Sequence, residues 1–351
     1  MTNHEKYMHR CLEIARLGAG QVAPNPMVGC VIVHNDRIIG EGYHARYGGP
    51  HAEVNALQSV KRKELIPEST LYVNLEPCAH HGKTPPCADL IVEQKVRRVV
   101  IGTSDPFSEV SGKGIGILNE GGAETVTGIL GDDCRWLNRR FFTFHEKKRP
   151  YVILKWAQTL DGFIDMVREA GQPAQPSWIS GNLARTLVHR SRTEESSILV
   201  GTNTVLKDDP SLTARDWSGE SPLRLVIDAN HRLTGHFKIF DGSVRTLVFS
   251  QSNNFQQQGS ECCVLDFERE VPRQILRELH NRRILSVIVE GGAFTHQQFI
   301  DAGLWDEAHI YSGNKMFFDG VRAPSIRGEM YDCENLEDSF LTVLVNKNPV
   351  K

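Results

Sequence analysis

Three short stretches in the first part of the chain hold side chains that bind metals and move protons. They are His51-Ala52-Glu53, Pro77-Cys78, and Cys87 after eight intervening residues. Neutral imidazole and thiolate are good zinc ligands, and three protein ligands leave the fourth tetrahedral position to water. Zinc lowers the pKa of that water to roughly 7, which supplies a nucleophile at neutral pH. If the reaction expels an amine, a carboxylate beside the metal but not bound to it must relay the water's proton, and Glu53 is placed for that task. His51, Cys78 and Cys87 are therefore the expected ligands of one zinc per chain, with Glu53 the expected acid–base residue. The residues leave two other readings open: a structural zinc clip completed by His80 or His81, or a pair of buried thiols. The conjunction of His-Ala-Glu opening a helix with Glu-Pro-Cys closing a strand favours the open, catalytic site.

Such a site needs a scaffold, and the first 140 residues alternate helical and strand signals. Tyr7, Cys11, Ile14 and Ala15 share a helical face that Gly18 and Gly20 terminate. Val28–Val33 and Arg37–Glu41 read as a hairpin turning at Asn35-Asp36. A helix is predicted from near His51 through Leu57. Residues two apart on a regular helix diverge, so His51 belongs at the helix start, after Pro50, where the backbone is not yet regular. Leu71–Leu75 and Val96–Gly102 read as strands flanking a helix over Ala88–Gln94. This alternation predicts an α/β layer structure around a central sheet. The charged stretch at Thr143–Pro150 breaks the pattern and is taken as the domain boundary, dividing the chain into 1–146 and 147–351. A second α/β series follows, with strands at Tyr151–Trp156, Ser197–Val200, Leu223–Ile227, Thr246–Phe249 and Leu285–Val289. Gly171–Ser177 reads as a loop.

Composition narrows the partners. At 351 residues, 40% hydrophobic and 24% charged, the chain suits two soluble globular domains. Its net charge is −3, and residues 1–146 carry 16 Lys/Arg against 17 Asp/Glu, so neither half has the basic surplus of a nucleic-acid binder. Clusters such as Lys61–Lys63 and Lys147–Arg149 read as solvated surface or linker. No apolar run reaches the length of a membrane span, and Met1–Arg10 is too polar for an export signal. Eight cysteines in a chain of this length do not make a disulfide scaffold, which points to a reducing cytoplasm. A small-molecule substrate, no nucleic acid and no membrane are expected, with a homo-oligomer as the assembly.

The first-half motifs resemble a known family. His51-Ala52-Glu53-Val54-Asn55-Ala56-Leu57 and the run Leu75-Glu76-Pro77-Cys78-Ala79-His80-His81-Gly82-Lys83-Thr84-Pro85-Pro86-Cys87 are similar to the cytidine-deaminase superfamily. More narrowly they resemble the bifunctional riboflavin-biosynthesis deaminase–reductases, as do Pro24-Asn25-Pro26-Met27-Val28-Gly29 and Asp105-Pro106. The specific part is the long insert between the cysteines. The resemblance implies that Asn25, His44, Lys83 and Thr84 help seat a pyrimidine and its ribose phosphate.

By pattern alone the second half says less. It lacks a Gly-x-Gly-x-x-Gly after a strand, though Glu290-Gly291-Gly292 between a strand and a helix over Ala293–Ile300 would let phosphate approach backbone N–H groups. Lys155-Trp156-Ala157-Gln158-Thr159-Leu160-Asp161-Gly162, Ser177-Trp178-Ile179-Ser180, the run Val200–Pro210 and Leu212-Thr213-Ala214-Arg215 resemble the family's reductase domain. That resemblance implies a dihydrofolate-reductase-like fold beside the cytidine-deaminase-like three-layer domain, and NADPH as cofactor. It places Ala157, Trp178, Thr204, Asp208, Ala229 and Gly292, Ala293, Phe294, Thr295, His296, Gln297 and Gln298 against the cofactor. Arg192, Leu212, Arg215 and Glu290 would face the substrate, with Lys155 and Glu290 orienting or protonating the opened sugar. An arginine pair suits a ribose phosphate because guanidinium binds phosphate through two parallel hydrogen bonds. The sequence departs from the family in a longer loop from Asp161 to Trp178. Pro176 stands at a substrate-contacting serine position, Ala229 replaces another serine, and Tyr311-Ser312-Gly313-Asn314-Lys315 lacks the usual Ala-Pro.

The implied function is two consecutive steps of riboflavin synthesis on one phosphorylated pyrimidine. Zinc-dependent hydrolytic deamination would come first, then NADPH-dependent reduction of the ribosyl to a ribityl side chain. The alternatives are a nucleoside or tRNA deaminase with an unrelated second domain, and a non-catalytic zinc-stabilised binding module.

Overall fold

The computed structural model describes residues 2–79, 85–107, 111–167, 177–253, 259–347 and 349. Its contacts divide the chain into two compact units, Met1–Lys147 and Lys148–Lys351. No helix among the described residues is long and apolar enough to cross a membrane.

The first unit runs α1 (Asn3–Ala15), β1 (Gly29–His34), β2 (Arg37–Tyr43), α2 (Ala52–Ser59), β3 (Thr70–Leu75), α3 (Cys87–Glu93), β4 (Arg98–Thr103), α4 (Lys113–Glu120), β5 (Glu124–Thr127), α5 (Gly131–Leu137) and α6 (Arg139–Lys147). Its five strands lie in the order β2-β1-β3-β4-β5. β1 is antiparallel to both neighbours, and β3, β4 and β5 are parallel. The hairpin turns at Asn35 and Asp36, both left-handed with φ of 47° and 57°, as a tight twisted hairpin requires. Period-two alternation splits the strands between two cores. Cys30, Ile32, Leu71, Val73, Val99 and Ile101 pack with Ala52, Ala56, Ala88, Ile91 and Leu118 of α2, α3 and α4. Val31, Val33, Tyr72 and Val100 face the other way, onto Met8, Cys11, Leu12, Cys134 and Leu137 of α1 and α5. The result is three layers.

The helical pattern does not break at Thr143, the first residue of the charged stretch Thr143–Pro150. Helix α6 continues to Lys147 because Phe141, Phe142 and Phe144 give it a buried face. Nor is Arg149 a solvated linker charge. It is 3% exposed, and its guanidinium donates to both carboxylate oxygens of Asp306 at 2.6 and 2.8 Å.

The second unit runs β6 (Tyr151–Gln158), β7 (Phe163–Asp165), α7 (Asn182–Glu194), β8 (Ser197–Gly201), α8 (Thr202–Asp208), β9 (Leu223–Ile227), β10 (Thr246–Ser250), β11 (Ser260–Val264), α9 (Val271–Asn281), β12 (Ser286–Val289), α10 (Ala293–Asp301), β13 (Glu307–Gly313), β14 (Val321–Arg322), β15 (Glu329–Asn335) and β16 (Ser339–Val345). Nine strands form one sheet in the order β11-β10-β9-β8-β12-β6-β13-β16-β15, and β7 pairs with β14 separately. From β11 to β13 every pairing is parallel, while β16 and β15 close the edge antiparallel. Parallel strands need both faces covered, which explains their continuous apolar runs. α9 and α10 bury one face through Ile275, Leu276, Leu279 and Phe299. On the other, Val205 of α8 packs against Ile198, Val200, Val226 and Ile288, and Val188 of α7 against Tyr311. The pattern reading assigns no strand beyond Val289. β13, β15 and β16 follow it, and all seven residues of β15 are exposed, so its sequence carries no burial alternation to read.

Candidate active sites

In the first unit the ligand candidates come from three element ends. His51 is the N-cap of α2 with extended backbone (φ −73°, ψ 164°), so its side chain leaves the helix before the regular turn begins. Cys78 lies three residues beyond β3, and Cys87 opens α3 with its backbone N–H donating to Cys78 Sγ at 3.3 Å. His51 Nδ1 stands 3.5 Å from Cys78 Sγ and 3.3 Å from Cys87 Sγ, and all three donor atoms lie within 4.8 Å of one another. Tetrahedral zinc bonds of about 2.3 Å to sulfur and 2.0–2.1 Å to nitrogen space such donors by about 3.5 Å, so the cluster fits the ion. The two thiols alone hold one proton between them. Hydrogen bonding from Cys87, with His51 adding, holds the Cys78 thiol below its usual range, while that contact and burial drive Cys87 up. A divalent cation removes the conflict by stabilising both thiolates.

The cluster includes no carboxylate. Glu53, in the first turn of α2, is 3% exposed, and its carboxyl is pushed up chiefly by burial, with the negative Cys78 adding. A carboxyl held above its ordinary range lies closer to a role in which it alternately takes and gives a proton. His80 and His81, the candidate fourth ligands, lie outside the described residues, as do Lys83 and Thr84.

Asn25 and His44 do meet, although both could have been ordinary turn and surface residues. The His44 ring is 2% exposed. Its Nδ1 lies 2.9 Å from the Pro50 carbonyl, which can only accept, so Nδ1 carries the hydrogen and Nε2 accepts from the Asn25 amide at 3.1 Å. Burial, with His51 adding, lowers the His44 pKa and keeps the ring neutral. Its edge meets the His51 ring at 5.5 Å between centroids.

Three residues that hold this site in place are given no role by the motif reading. Asn74 accepts from Gly29 N at 2.8 Å and donates to Met27 O at 3.1 Å, while Asn138 accepts from Met27 N at 2.8 Å and donates to Met27 O at 2.9 Å. Together they pin the loop that carries Asn25. Glu76, 3% exposed, accepts from the backbone N–H groups of Asp105, Gly112, Gly114 and Ile115 at 3.1–3.3 Å. It thereby fixes the turn leading to Cys78. For Asn74 and Glu76 the available signal was a polar residue inside or just after an apolar strand run, which burial tolerates only with partners.

The second unit holds a cavity of about 530 Å³ at the carboxyl ends of β6, β8, β9 and β12, where parallel α/β sheets bind ligands. Ala157, Thr204, Asp208, Ala229, Gly292, Ala293, Phe294, Thr295, His296 and Gln298 line it, with Lys155 and Glu290. Trp178 and Gln297 do not. Trp178 is 52% exposed with the Arg185 guanidinium 5.6 Å from its ring, and the Gln297 amide is engaged by Asp301 and Ser325. His296 lines the cavity without offering it a polar group, because its nitrogens face the carbonyls of Gly292, Val289 and Lys155 at 2.9–3.1 Å. Gly292 N donates to Thr204 Oγ1 at 2.9 Å, tying the strand–helix turn to α8.

Glu290 sits among cations. Arg192 donates to its Oε2 at 2.8 Å, and Lys155 Nζ lies 3.7 Å from Oε1. Burial alone would raise this carboxyl, but Arg192 and Lys155 outweigh it and hold Glu290 at about 2. The same burial, with Arg192 adding, lowers the Lys155 pKa against the pull of Glu290. Arg192 is thus committed to a carboxylate and to Thr213 O, whereas exposed Arg215 donates to Ser211 Oγ at 3.1 Å. Both guanidiniums reach His189 electrostatically, adding to burial to push it down to about 4. Leu212 turns its side chain into the core with Ile198 and Val226 and is 2% exposed. Pro176 lies outside the described residues.

Residues 1–103 match the family model of the cytidine and deoxycytidylate deaminase zinc-binding region, and residues 150–331 match the RibD C-terminal domain. The riboflavin biosynthesis protein RibD of Bacillus amyloliquefaciens is 38% identical over 352 residues, covering 96% of this chain and 93% of its own. The chain belongs to the RibD family. That of Actinobacillus pleuropneumoniae is also 38% identical, over 88% of this chain and 83% of its own. A crystal structure from Thermotoga maritima, described as a diaminohydroxyphosphoribosylaminopyrimidine deaminase/5-amino-6-(5-phosphoribosylamino)uracil reductase, superposes with a TM-score of 0.89 at 38% identity over 98% of each chain. Family membership makes the chain a bifunctional deaminase and reductase of riboflavin biosynthesis. It combines a zinc-binding deaminase-like domain with a reductase domain of the family's NADPH-using type. A tRNA or nucleoside deaminase joined to an unrelated domain is not favoured, because the second half matches the family in its own right.

Proposed function

We propose that segment 1–146 hydrolyses the 2-amino group of 2,5-diamino-6-(5-phosphoribosylamino)pyrimidin-4-one, and that segment 147–351 then reduces the ribosyl group to ribityl. The observation that carries the reading is the three-donor cluster of His51, Cys78 and Cys87 with Glu53 buried beside it and outside the ligand set. Zinc, held by those three residues, supplies Lewis acidity that makes water nucleophilic at neutral pH. Glu53 takes the proton of the attacking water and returns it to the departing amine, so that ammonia leaves and a carbonyl remains. Asn25, kept in register by Asn74 and Asn138, offers its amide to the ring, and neutral His44 orients that amide. Lys83 and Thr84 are assigned to the ribose phosphate by family likeness.

In the reductase half the cavity residues hold NADPH, which supplies the hydride. Lys155 stands as proton donor to the opened sugar, with Glu290 fixing its ammonium, and Arg215 takes the substrate phosphate. Eight unpaired cysteines support a reducing cytoplasm, and the acidic balance supports a small-molecule substrate over nucleic acid. A homo-oligomer completes the reading, supported by exposed Met330, Tyr331 and Phe340 at the β15 edge.

Product analysis with the phosphorylated diamino substrate tests it. Ammonia release should need zinc and no nucleotide, and ribityl product should appear only with NADPH. A zinc-loaded protein that releases no ammonia sinks the first assignment, and one that oxidises no NADPH on deaminated substrate sinks the second.

A further inference from the structure

The geometry points to Arg232 as the residue that reads the adenosine 2′-phosphate and so makes this reductase select NADPH over NADH. Three cationic side chains line the cavity among the described residues: Lys155, Lys207 and Arg232. Two are engaged by carboxylates, Lys155 by Glu290 at 3.7 Å and Lys207 by Asp165 at 3.8 Å. Arg232 donates instead to a neutral amide, Asn203 Oδ1, at 3.2 Å, and makes no ion pair among the described residues. Its charge is therefore available to an anion.

Placement fits as well. Arg232 lies in the loop after β9, and Lys155 lies on β6, with β8 and β12 between them. Three strand spacings put the two ends of the cavity about 14 Å apart. The hydride must be delivered at the Lys155–Glu290 end, and the Gly292–Thr204 turn lies between. The far end is then left for the adenosine ribose.

The loop is also built to hold the guanidinium in place. Asp228, fully buried, accepts from Arg232 N at 3.1 Å, from Leu233 N at 2.9 Å and from the Thr202 hydroxyl at 3.2 Å. Ala229, at the same end, brings no hydroxyl to a phosphate, which leaves the Arg232 side chain as the donor of matching charge.

This inference rests on the reductase reading above, and calorimetric titration of the full-length protein separates the two. Wild type, Arg232→Gln and Arg232→Lys are titrated with NADPH, NADH, adenosine 2′,5′-bisphosphate and 5′-AMP. Removing a charge-assisted phosphate contact should weaken NADPH and the bisphosphate on the order of 10–100-fold in Arg232→Gln, with partial recovery in Arg232→Lys. NADH and 5′-AMP should bind as before, which also shows that the variant is folded. If NADPH and NADH weaken equally, or if Arg232→Gln keeps the wild-type preference, the inference is overturned while the reductase reading stands. Wild type that binds neither dinucleotide overturns both.

Discussion

Glu53→Gln separates the two chemistries and tests the zinc site at the same time. The substitution keeps shape and volume in a pocket where Glu53 is 3% exposed, and none of the three donor atoms of the cluster belongs to it. Zinc content should therefore stay near one per chain. What is lost is the titrating proton. General acid–base groups contribute about 10²–10⁴-fold, or about 3–5 kcal/mol of activation free energy. Burial raises the Glu53 carboxyl, the direction that favours a group that must both take and give a proton, so a fall within that range is expected. Ammonia release should fall accordingly, while NADPH oxidation on already deaminated substrate stays at the wild-type rate. Metal analysis and the two assays on one preparation settle it. Loss of zinc would make Glu53 a ligand or a structural prop. Loss of both activities in a folded protein would refute two independent sites.

Asn74→Ala removes the acceptor for Gly29 N and a donor to Met27 O. A buried N–H left unsatisfied costs about 1–3 kcal/mol, so the deaminase KM should rise and the first unit should melt earlier, with reduction unaffected. Arg149→Met leaves Asp306 charged in a site where both side chains are 4% exposed, a loss of about 3–5 kcal/mol in urea unfolding. The double change Arg149→Met/Asp306→Leu should recover much of it, and failure to recover would mean that the ion pair is not the cause. Glu290, at about 2 in the folded state, lies below its unfolded value, so its contribution is fully present above pH ~4.5 and is lost as pH falls through about 2. A depression from about 4.5 to about 2 is worth about 3 kcal/mol. Arg192→Met should therefore move acid unfolding of the second unit to higher pH, and an unchanged acid transition would deny Arg192 that role.

The sequence made the zinc site legible because its donors are rare residue types close together in the chain, with a proline before the helix start and a strand before Cys78. Tyr7, Cys11, Ile14 and Ala15, and the alternation of Cys30 to Val33, marked the core faces for the same reason: each pattern is local and periodic. The reductase site was legible only through family likeness. Lys155, Glu290 and Arg192 come from β6, the end of β12 and α7, and nothing local in those segments says that they meet. Arg149 was misjudged because its partner is 157 residues away. The strands after Val289 were missed because β15 is exposed along its length and β13 interrupts its apolar residues with Glu307, His309 and Ser312.

Both units place their chemistry by the same physical means. Glu76 and Asp228 are buried carboxylates whose oxygens accept loop backbone N–H groups, four in the first case and two in the second, where the Thr202 hydroxyl joins them. Burying a charge is costly unless it is fully hydrogen-bonded, and satisfying it fixes the positions of the residues whose N–H groups donate to it. Each loop adjoins a group whose position matters: Cys78 two residues after Glu76, Arg232 four residues after Asp228. A catalytic or binding group on an unrestrained loop would spend part of its binding energy on ordering itself. The buried carboxylate meets that cost during folding, before any ligand arrives. On this view an acidic residue at the end of a parallel strand, just ahead of a functional side chain, is part of the site even though it touches neither metal nor substrate.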